Sequence, residues 1–405
     1  MLAALLALAT LAGGGEARPL DTVELEGGVK VAGRVVFEDQ DEIVVRVGSN
    51  ERTFPRKKVV RFDSRFADLR ALRKRWRELQ ETDLPGTLAL AKRMREQKFE
   101  DEAQLLAWYV LSYSPRDAKA HEFLGHEQLR EGWIVVDGSR RWNYEKLLEV
   151  RKDWKDAWEL SSEHYHLRSN LPLHDAVIAV LDMECAYEAF FQLLGRPLRF
   201  HELVEPLAAQ VHADEKSFPE SLGNARSYFD AAGHVLQVNA AGGFERSSVF
   251  HEATHQLLDA CVQSTRTARG DVPGWLSEGL AEYLRASMSG PAGRELPAEG
   301  QFDLARFQEH AQTQGAYDVT RVLTFGSDDF AGSAKTSLKY SQSYTLVCWG
   351  LYAEGGQLRE RFFDYLRETC KGHSSATAFK DELKLDDRAI EKSWTEFVRA
   401  KAAGK

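Results

Sequence analysis

Residues 249–258 of this 405-residue chain read VFHEATHQLL, and they decide how the rest of the sequence is interpreted. The stretch contains the arrangement HExxH, with His251 and His255 four positions apart. Residues i and i+4 of an α-helix differ by about 400°, one turn plus 40°, so both imidazoles project from one face. Glu252 lies about 100° around the same helix. The spacing therefore predicts a helix that presents two metal-binding nitrogens and a neighbouring carboxylate.

A second acidic segment follows, where residues 275–283 read WLSEGLAEY after a Pro-Gly helix start signal. Glu278 is the natural third ligand, because a carboxylate on a second helix completes a His₂Glu zinc site and leaves the fourth coordination position for water. Glu282, one turn later, is predicted to accept the free ring N–H of a zinc-bound histidine. Glu252 is the predicted general base that takes a proton from the water. The alternative is that Glu278 and Glu282 belong to a solvated helix face.

HExxH followed by WLxEGxAEY resembles the gluzincin metallopeptidases, the clan that includes thermolysin and the aminopeptidase-N-like enzymes. The resemblance is closest to the peptidase-MA-like gluzincins of secreted bacterial proteins, which combine HEATHQL and WLxEGxAEY with a later YxQS. It covers residues 160–400. It implies that His251, His255 and Glu278 bind Zn²⁺ and that Glu252 acts as the general base. The implied fold of this region is zincin-like, and the implied reaction is zinc-dependent hydrolysis of peptide bonds.

The same resemblance implies a tyrosine that donates a hydrogen bond to the developing oxyanion. Residues 339–344, KYSQSY, supply two candidates, of which Tyr340 matches the family position and Tyr344 is the alternative. Both rings could instead be ordinary helix packing, because each begins an apolar run. The strand predicted at residues 234–239, just before the helix of the HExxH motif, matches the edge strand that pairs with extended substrate in this family.

Two departures from neighbouring families narrow the expected activity. A metzincin requires HExxHxxGxxH, whereas this chain has Leu258 and Cys261 at the positions of the glycine and the third histidine. The aminopeptidase-N-like enzymes carry a GxMEN segment that captures a free amino terminus, and this sequence contains none. An endopeptidase is therefore expected. The alternative is a catalytically inactive zinc-containing binding or scaffold protein that recruits partners through its N-terminal modules.

The rest of the sequence predicts an α+β protein of several domains. Residues 20–63 alternate as strands do and predict a small β-barrel-like module, with a hairpin signal at Gly48-Ser-Asn50. Residues 64–137 predict a helical, tetratricopeptide-like middle region, in which paired helices extend from residue 84 to residue 130. A composition change at residues 137–139 is a plausible boundary. Residues 155–400 form the predicted gluzincin-like domain, with a short sheet and the active-site helices.

Residues 1–17 predict a signal peptide and hence a periplasmic or extracellular protein. Their apolar run is too short to span a bilayer and is followed by small residues, although a buried N-terminal helix is the alternative. The four cysteines could form up to two disulfides outside the cytosol or remain buried thiols. They are Cys185, Cys261, Cys348 and Cys370.

The charge balance bears on the expected partners. The net charge of −9 makes nucleic acid a poor candidate, because proteins that follow a phosphate backbone are usually basic. A peptide or protein substrate is expected, without a stable transmembrane anchor. The N-terminal β and helical modules are candidates for binding a protein partner.

Overall fold

The computed structural model describes residues 19–220, 227–264, 272–287, 294, 296, 299–331 and 335–404. These residues form two compact units, one that ends at Ala103 and one that begins at Gln104. The division falls inside the helix Glu100–Tyr113. The predicted signal peptide, residues 1–17, lies outside the described residues.

The first unit begins with five antiparallel strands, as the alternating pattern of residues 20–63 predicts. The hairpin signal at Gly48 is confirmed, because Val47 pairs directly with Asn50 across a two-residue turn. Val23, Val35 and Ile43 are buried together in the core of this sheet. The strands are β1 (Asp21–Leu25), β2 (Lys30–Glu38), β3 (Glu42–Val47), β4 (Asn50–Pro55) and β5 (Val59–Phe62), arranged in the order β4-β3-β2-β1-β5.

Helices complete the first unit and are tied to its sheet by a buried carboxylate. They are α1 (Arg65–Glu78), α2 (Leu84–Glu96) and the start of α3 (Glu100–Tyr113). The Asp21 side chain accepts the backbone N–H groups of Val35 in β2 and Arg65 in α1, each at 2.8 Å. One carboxylate thus joins two strands and a helix, since β1 carries it.

The helical prediction is wrong for the last part of the middle region. After α3 and the short helix α4 (Ala118–Phe123), the chain forms a three-stranded antiparallel sheet, which is followed by a helix. The β-branched run Ile134–Val136 favours a strand, and the turn at Gly138, whose φ is +59°, joins two strands. The composition change at residues 137–139 therefore coincides with a hairpin turn. The elements are β6 (Glu127–Leu129), β7 (Gly132–Asp137), β8 (Arg140–Asn143) and α5 (Tyr144–Val150).

A second five-stranded sheet underlies the region around the HExxH motif. Its order is β12-β13-β11-β10-β9, where the strands are β9 (Trp158–Ser161), β10 (Tyr165–Ser169), β11 (Leu207–His212), β12 (Ser227–Asp230) and β13 (Val235–Asn239). β10, β11 and β13 are parallel, and the two outer strands are antiparallel to their neighbours. Between β10 and β11 the chain forms α6 (Leu173–Phe190) and, after a wide turn, α7 (Arg196–Leu198).

The predicted edge strand is not at the edge. β13, which contains most of residues 234–239, pairs with β11 on one side and with β12 on the other. The short strand β12, which was not predicted from the sequence, forms a hairpin with β13 and occupies the edge instead.

Helices make up most of the remaining described chain. The long helix α8 (Arg246–Ser264) contains the HExxH motif, and α9 (Gly274–Ser287) lies against both α8 and α12. The α+β class is confirmed, with an N-terminal β module, a largely helical middle and a C-terminal helical region. The other helices are α10 (Leu304–Gln312), α11 (Val319–Val322), α12 (Thr336–Tyr352), α13 (Arg359–Cys370), α14 (Ala376–Leu383) and α15 (Asp387–Ala402).

Membrane-spanning helices and cysteine pairing are two further features that the sequence raises. Within the described ranges, no helix combines the length and apolar character that a bilayer crossing requires. Three of the four cysteine side chains are buried and that of Cys370 is half-buried, and all four are thiols. Burial raises the pKa of the Cys370 thiol to about 12, so it is protonated at neutral pH.

Candidate metal centre

The start of α8 is held in place by a buried ion pair in the second unit. The chain leaves β13, turns at Gly243, whose φ is +107°, and enters α8 at Arg246. The Arg246 guanidinium binds Asp182 of α6 in a bidentate manner, with N–O distances of 2.6 and 2.7 Å. Asp182 is fully buried, and such a carboxylate is tolerated only when it is paired. The pair therefore fixes the helix that carries the HExxH motif against α6.

His251 and His255 lie one turn apart on α8, as their spacing predicts. Their Nε2 atoms are 3.2 Å apart, so both imidazoles converge on one point. Glu278 of α9 closes the group: its Oε2 lies 3.1 Å from His251 Nε2 and 3.5 Å from His255 Nε2. One ligand atom from each residue falls within 4.8 Å of the others. The three predicted metal ligands, His251, His255 and Glu278 (the triad), therefore come together in one candidate metal-binding cluster.

The donor set fits a divalent cation that prefers nitrogen and oxygen ligands. Two imidazoles and one carboxylate leave a coordination position open, since no other His, Cys, Asp or Glu of the described chain joins the group. The three side chains are 12–16% exposed, so the site is mostly buried but open to solvent. A metal ion there would be reachable by water and by a small part of a larger molecule.

Each histidine is oriented through its other ring nitrogen. His251 Nδ1 lies 3.1 Å from Glu282 Oε1, and His255 Nδ1 lies 2.9 Å from the Ser277 hydroxyl oxygen. Glu282 thus contacts the free ring nitrogen of His251, which is the contact predicted for it from the sequence. The sequence pattern did not predict the contact of Ser277 with His255. The position of Ser277 next to Glu278 on the same helix is the signal that could have indicated it. Such partners set the tautomer and orientation of a ligand imidazole.

The imidazoles and carboxylates of this group shift one another's pKa values. Burial alone would lower the pKa of His251, but its hydrogen bonds with Glu278 and Glu282 outweigh burial and raise the pKa to about 10. Burial would raise the pKa of Glu278, but its hydrogen bonds with His251 and His255 lower the pKa to about 2. The two carboxylates therefore favour the protonated form of the His251 imidazole, whereas a metal ligand must be a neutral imidazole, so protonation and metal binding compete at His251.

Glu252 lies outside the triad and is held by the edge strand of the sheet. Its Oε2 accepts the backbone N–H of Phe229 in β12 at 3.0 Å. Glu252 is close enough to His251 for its charge to contribute to the raised pKa of that imidazole. The structure therefore brings Glu252 beside the metal-binding group without making it a member.

Tyr340 and Tyr344 have different surroundings. The Tyr340 ring on α12 lies beside the triad, with its centroid 6.0 Å from that of His251. Burial and the nearby charges of Glu278 and Glu282 raise the pKa of Tyr340 above its usual value, so the phenol is protonated at neutral pH. The Tyr344 hydroxyl instead accepts the backbone N–H of Asp303 at 2.7 Å, and its side chain is fully buried. Of the two candidates, only Tyr340 faces the triad.

Close backbone contact between α9 and α12 explains the glycine that follows Glu278. A Cβ atom on Gly279 would lie 2.7 Å from the Ser343 carbonyl oxygen and 2.8 Å from a Val347 methyl group. α12 carries both of these residues and Tyr340. Gly279 therefore allows the helix of the third ligand to lie directly against the helix of the tyrosine.

Replacing Gly279 with alanine is expected to lower the free energy of unfolding by about 1–2 kcal/mol. Overpacking costs about 1–3 kcal/mol, and the better helix propensity of alanine offsets up to about 1 kcal/mol of this. Chemical denaturation measures the change. Gly326→Ala is the control, since a Cβ there has no atom within 4 Å. Equal stability of Gly279→Ala and the wild type would contradict the close contact.

Comparisons with known proteins add one family match. A family model described as a protein of unknown function, DUF1570, matches residues 245–374, which is less than half of the chain. The matched segment contains every residue of the triad, together with Glu252, Glu282 and Tyr340. A comparison with curated proteins gave no significant match.

Proposed function

We propose that this chain is a zinc-dependent hydrolase of peptide bonds that acts as an endopeptidase. The observation that carries the proposal is the convergence of His251, His255 and Glu278 within 4.8 Å, with one position left for water. A purely structural zinc site normally has four protein ligands, whereas three protein ligands and an open position are typical of catalytic zinc. The motif resemblance to gluzincins supports the same assignment.

Zinc is the metal we propose for this ligand set. His251, His255 and Glu278 would hold it, because two imidazoles and a carboxylate are an established combination in catalytic zinc sites. Glu282 and Ser277 would orient the two imidazoles. When bound, the metal would lower the pKa of a water molecule and polarise the scissile carbonyl group.

Glu252 is the proposed general base. It takes a proton from the attacking water and passes it to the leaving amine, which converts a poor leaving group into a neutral one. The hydrogen bond from Phe229 N–H occupies Oε2 and leaves Oε1 for the water. This contact supports the role, because it limits the carboxylate to a position beside the metal-binding group.

Tyr340 is the proposed donor to the oxyanion. Its phenol retains its proton at neutral pH, and its ring lies beside the triad, 6.0 Å from that of His251. The Tyr344 hydroxyl is instead engaged with the backbone of Asp303. A donor aimed at developing negative charge lowers the barrier more than the same group does in water.

The outer edge of β12 is the proposed docking site for extended substrate. Among the described strands, only β13 pairs with β12, and on the outer side the Phe229 N–H is bound by Glu252, so the proposed pairing with substrate uses the other backbone groups of this edge. Phe229 places this edge next to Glu252. An extended peptide paired along the edge would pass the metal-binding group in mid-chain, which supports internal cleavage.

Export is proposed from residues 1–17, and a protein partner for the β and helical modules of the first unit is proposed as well. Neither is needed for hydrolysis. Both remain proposals that rest on the sequence pattern alone.

The proposed function is tested by removing and restoring the metal. The full chain is dialysed against EDTA, then assayed with and without added Zn²⁺ on a peptide library made from a digested proteome, with products identified by mass spectrometry. We expect cleavage at internal bonds that stops without metal and returns with zinc. Equal cleavage by the metal-free chain would contradict the mechanism. A chain that binds zinc but cleaves no peptide would favour the inactive zinc-containing binding protein.

A further inference from the structure

Arg306 connects three helices around the metal-binding cluster. It belongs to α10, yet its Nη2 lies 2.7 Å from Oε2 of Glu282 on α9. Its Nη1 lies 3.4 Å from both the Ser341 hydroxyl oxygen and the Ser337 carbonyl oxygen on α12. The same guanidinium carbon is 5.8 Å from the centre of the Tyr340 ring. The Arg306 side chain therefore contacts both Glu282, which orients His251, and α12, which carries Tyr340.

The two oxygens of Glu282 have separate partners. Oε1 faces His251 Nδ1 at 3.1 Å, whereas Oε2 is bound by the guanidinium of Arg306 and by that of Arg285 at 2.6 Å. Glu282 is 5% exposed, so water does little to hold it. Because both oxygens are engaged, the carboxylate cannot rotate without breaking an ion pair. The orientation of the His251 ring is thus tied to the two arginines.

The two arginines differ in what else they contact. Arg285 lies three residues after Glu282 on the same helix, and its other ion pair is a distant one to Asp303 at 3.8 Å. Arg306 reaches Glu282 from a different helix and also contacts α12. Only Arg306, of these two, links the orientation of His251 to the position of Tyr340.

We infer that Arg306 is a positioning residue that sets the orientation of His251 through Glu282 and the position of the Tyr340 ring beside His251. The tyrosine half of this inference rests on the proposed peptidase function. The histidine half concerns metal affinity and can be measured without any substrate.

Arg306→Met tests both halves, because methionine keeps an apolar stem and removes the charge and the donors. We expect the zinc affinity, measured by competition with a chelator, to fall up to about 10-fold, because losing a group in direct contact with a ligand costs about 10- to 100-fold and Arg306 acts through Glu282. At saturating zinc we expect kcat to fall about 10- to 100-fold with KM little changed, because the tyrosine donor is misplaced. Arg306→Lys should recover most of the zinc affinity and less of kcat. Lysine can pair with Glu282, but it lacks the second guanidinium nitrogen that contacts Ser337 and Ser341 of α12.

The matched control is Arg321→Met. Arg321 also combines an ion pair, to Asp329 at 2.9 Å, with an aromatic contact, 5.1 Å from the Phe325 ring centre. Its side chain is 49% exposed and contacts none of the cluster residues. This variant should retain both zinc affinity and kcat, and thermal unfolding of each metal-free variant shows whether it is folded.

The double variant with Glu282→Gln separates the effect of Arg306 on His251 from its effect on Tyr340. In Glu282→Gln, adding Arg306→Met should cause little further loss of zinc affinity, because the route to His251 is already weakened, but should still lower kcat. Equal losses of zinc affinity in both backgrounds, or no loss in either, would overturn the histidine half. An unchanged kcat at saturating zinc would overturn the tyrosine half.

Failure of this inference is distinguishable from failure of the proposed function. If the wild type binds zinc but cleaves no peptide, the proposed function and the tyrosine half fail while the affinity comparison still tests the histidine half. If the wild type cleaves peptides and Arg306→Met has the same zinc affinity and the same kcat, only the inference fails. A wild type that binds no zinc would overturn both.

Discussion

Glu252→Gln is expected to lower the kcat of peptide hydrolysis by about 10²- to 10⁴-fold, the range that a general base contributes. Glutamine has nearly the same shape, and its carbonyl oxygen can still accept the Phe229 N–H. It cannot accept a proton from water, so the chemical step loses its base. Because Glu252 is not one of the three residues that converge on the metal position, zinc content should stay at that of the wild type.

Asp259→Asn is the matched control for this change. Asp259 lies two turns further along α8, its side chain is half-buried, and it forms an ion pair with His234 at 3.4 Å. The same carboxylate-to-amide replacement there should leave kcat and zinc content unchanged. Elemental analysis and steady-state kinetics measure both quantities. If Glu252→Gln hydrolysed peptides as fast as the wild type, another group would have to act as the base.

His255→Ala is expected to abolish stoichiometric zinc binding at micromolar protein. Structural zinc is bound with about 10–16 kcal/mol over four ligands, so one ligand corresponds to about 3 kcal/mol, or roughly 10²-fold in affinity. The loss should be at least this large here, because only two of the three converging ligands would remain. Hydrolysis should disappear together with the metal.

His373→Ala controls for the removal of an imidazole. His373 is 69% exposed and pairs with Glu368 at 2.9 Å, far along the chain from α8 and α9. Isothermal titration with Zn²⁺ should give the wild-type stoichiometry for this variant. Full zinc occupancy in His255→Ala would rule out the assigned ligand set.

The triad was predictable because its geometry is mostly local. His251 and His255 belong to one helix, so their convergence follows from helical periodicity. Glu278 required one non-local step, the packing of α9 on α8, which the second acidic segment suggested and the motif resemblance supported. The N-terminal sheet was predictable for a similar reason, since antiparallel strands joined by short turns pair with their neighbours in sequence.

What the sequence analysis missed depends on contacts between distant segments. β12 is four residues long and is defined by its pairing with β13 and its contact with Glu252, not by any strong pattern of its own. The sheet formed by β6, β7 and β8 is also made of short strands, of three, six and four residues, and it follows directly after helices. Arg306 reaches Glu282 through tertiary packing, which no spacing rule encodes.

A single helix supplies much of the candidate metal centre, and this affects how long an ion would remain bound. α9 provides Glu278 as well as Ser277 and Glu282, which orient the two histidines. Transient detachment of α9 would remove these groups together, whereas fraying of other helices would leave them in place. Opening of α9 would therefore release the metal, because it removes one ligand and the partners of the other two in a single step. A bound ion would in turn slow hydrogen exchange of the α9 amides.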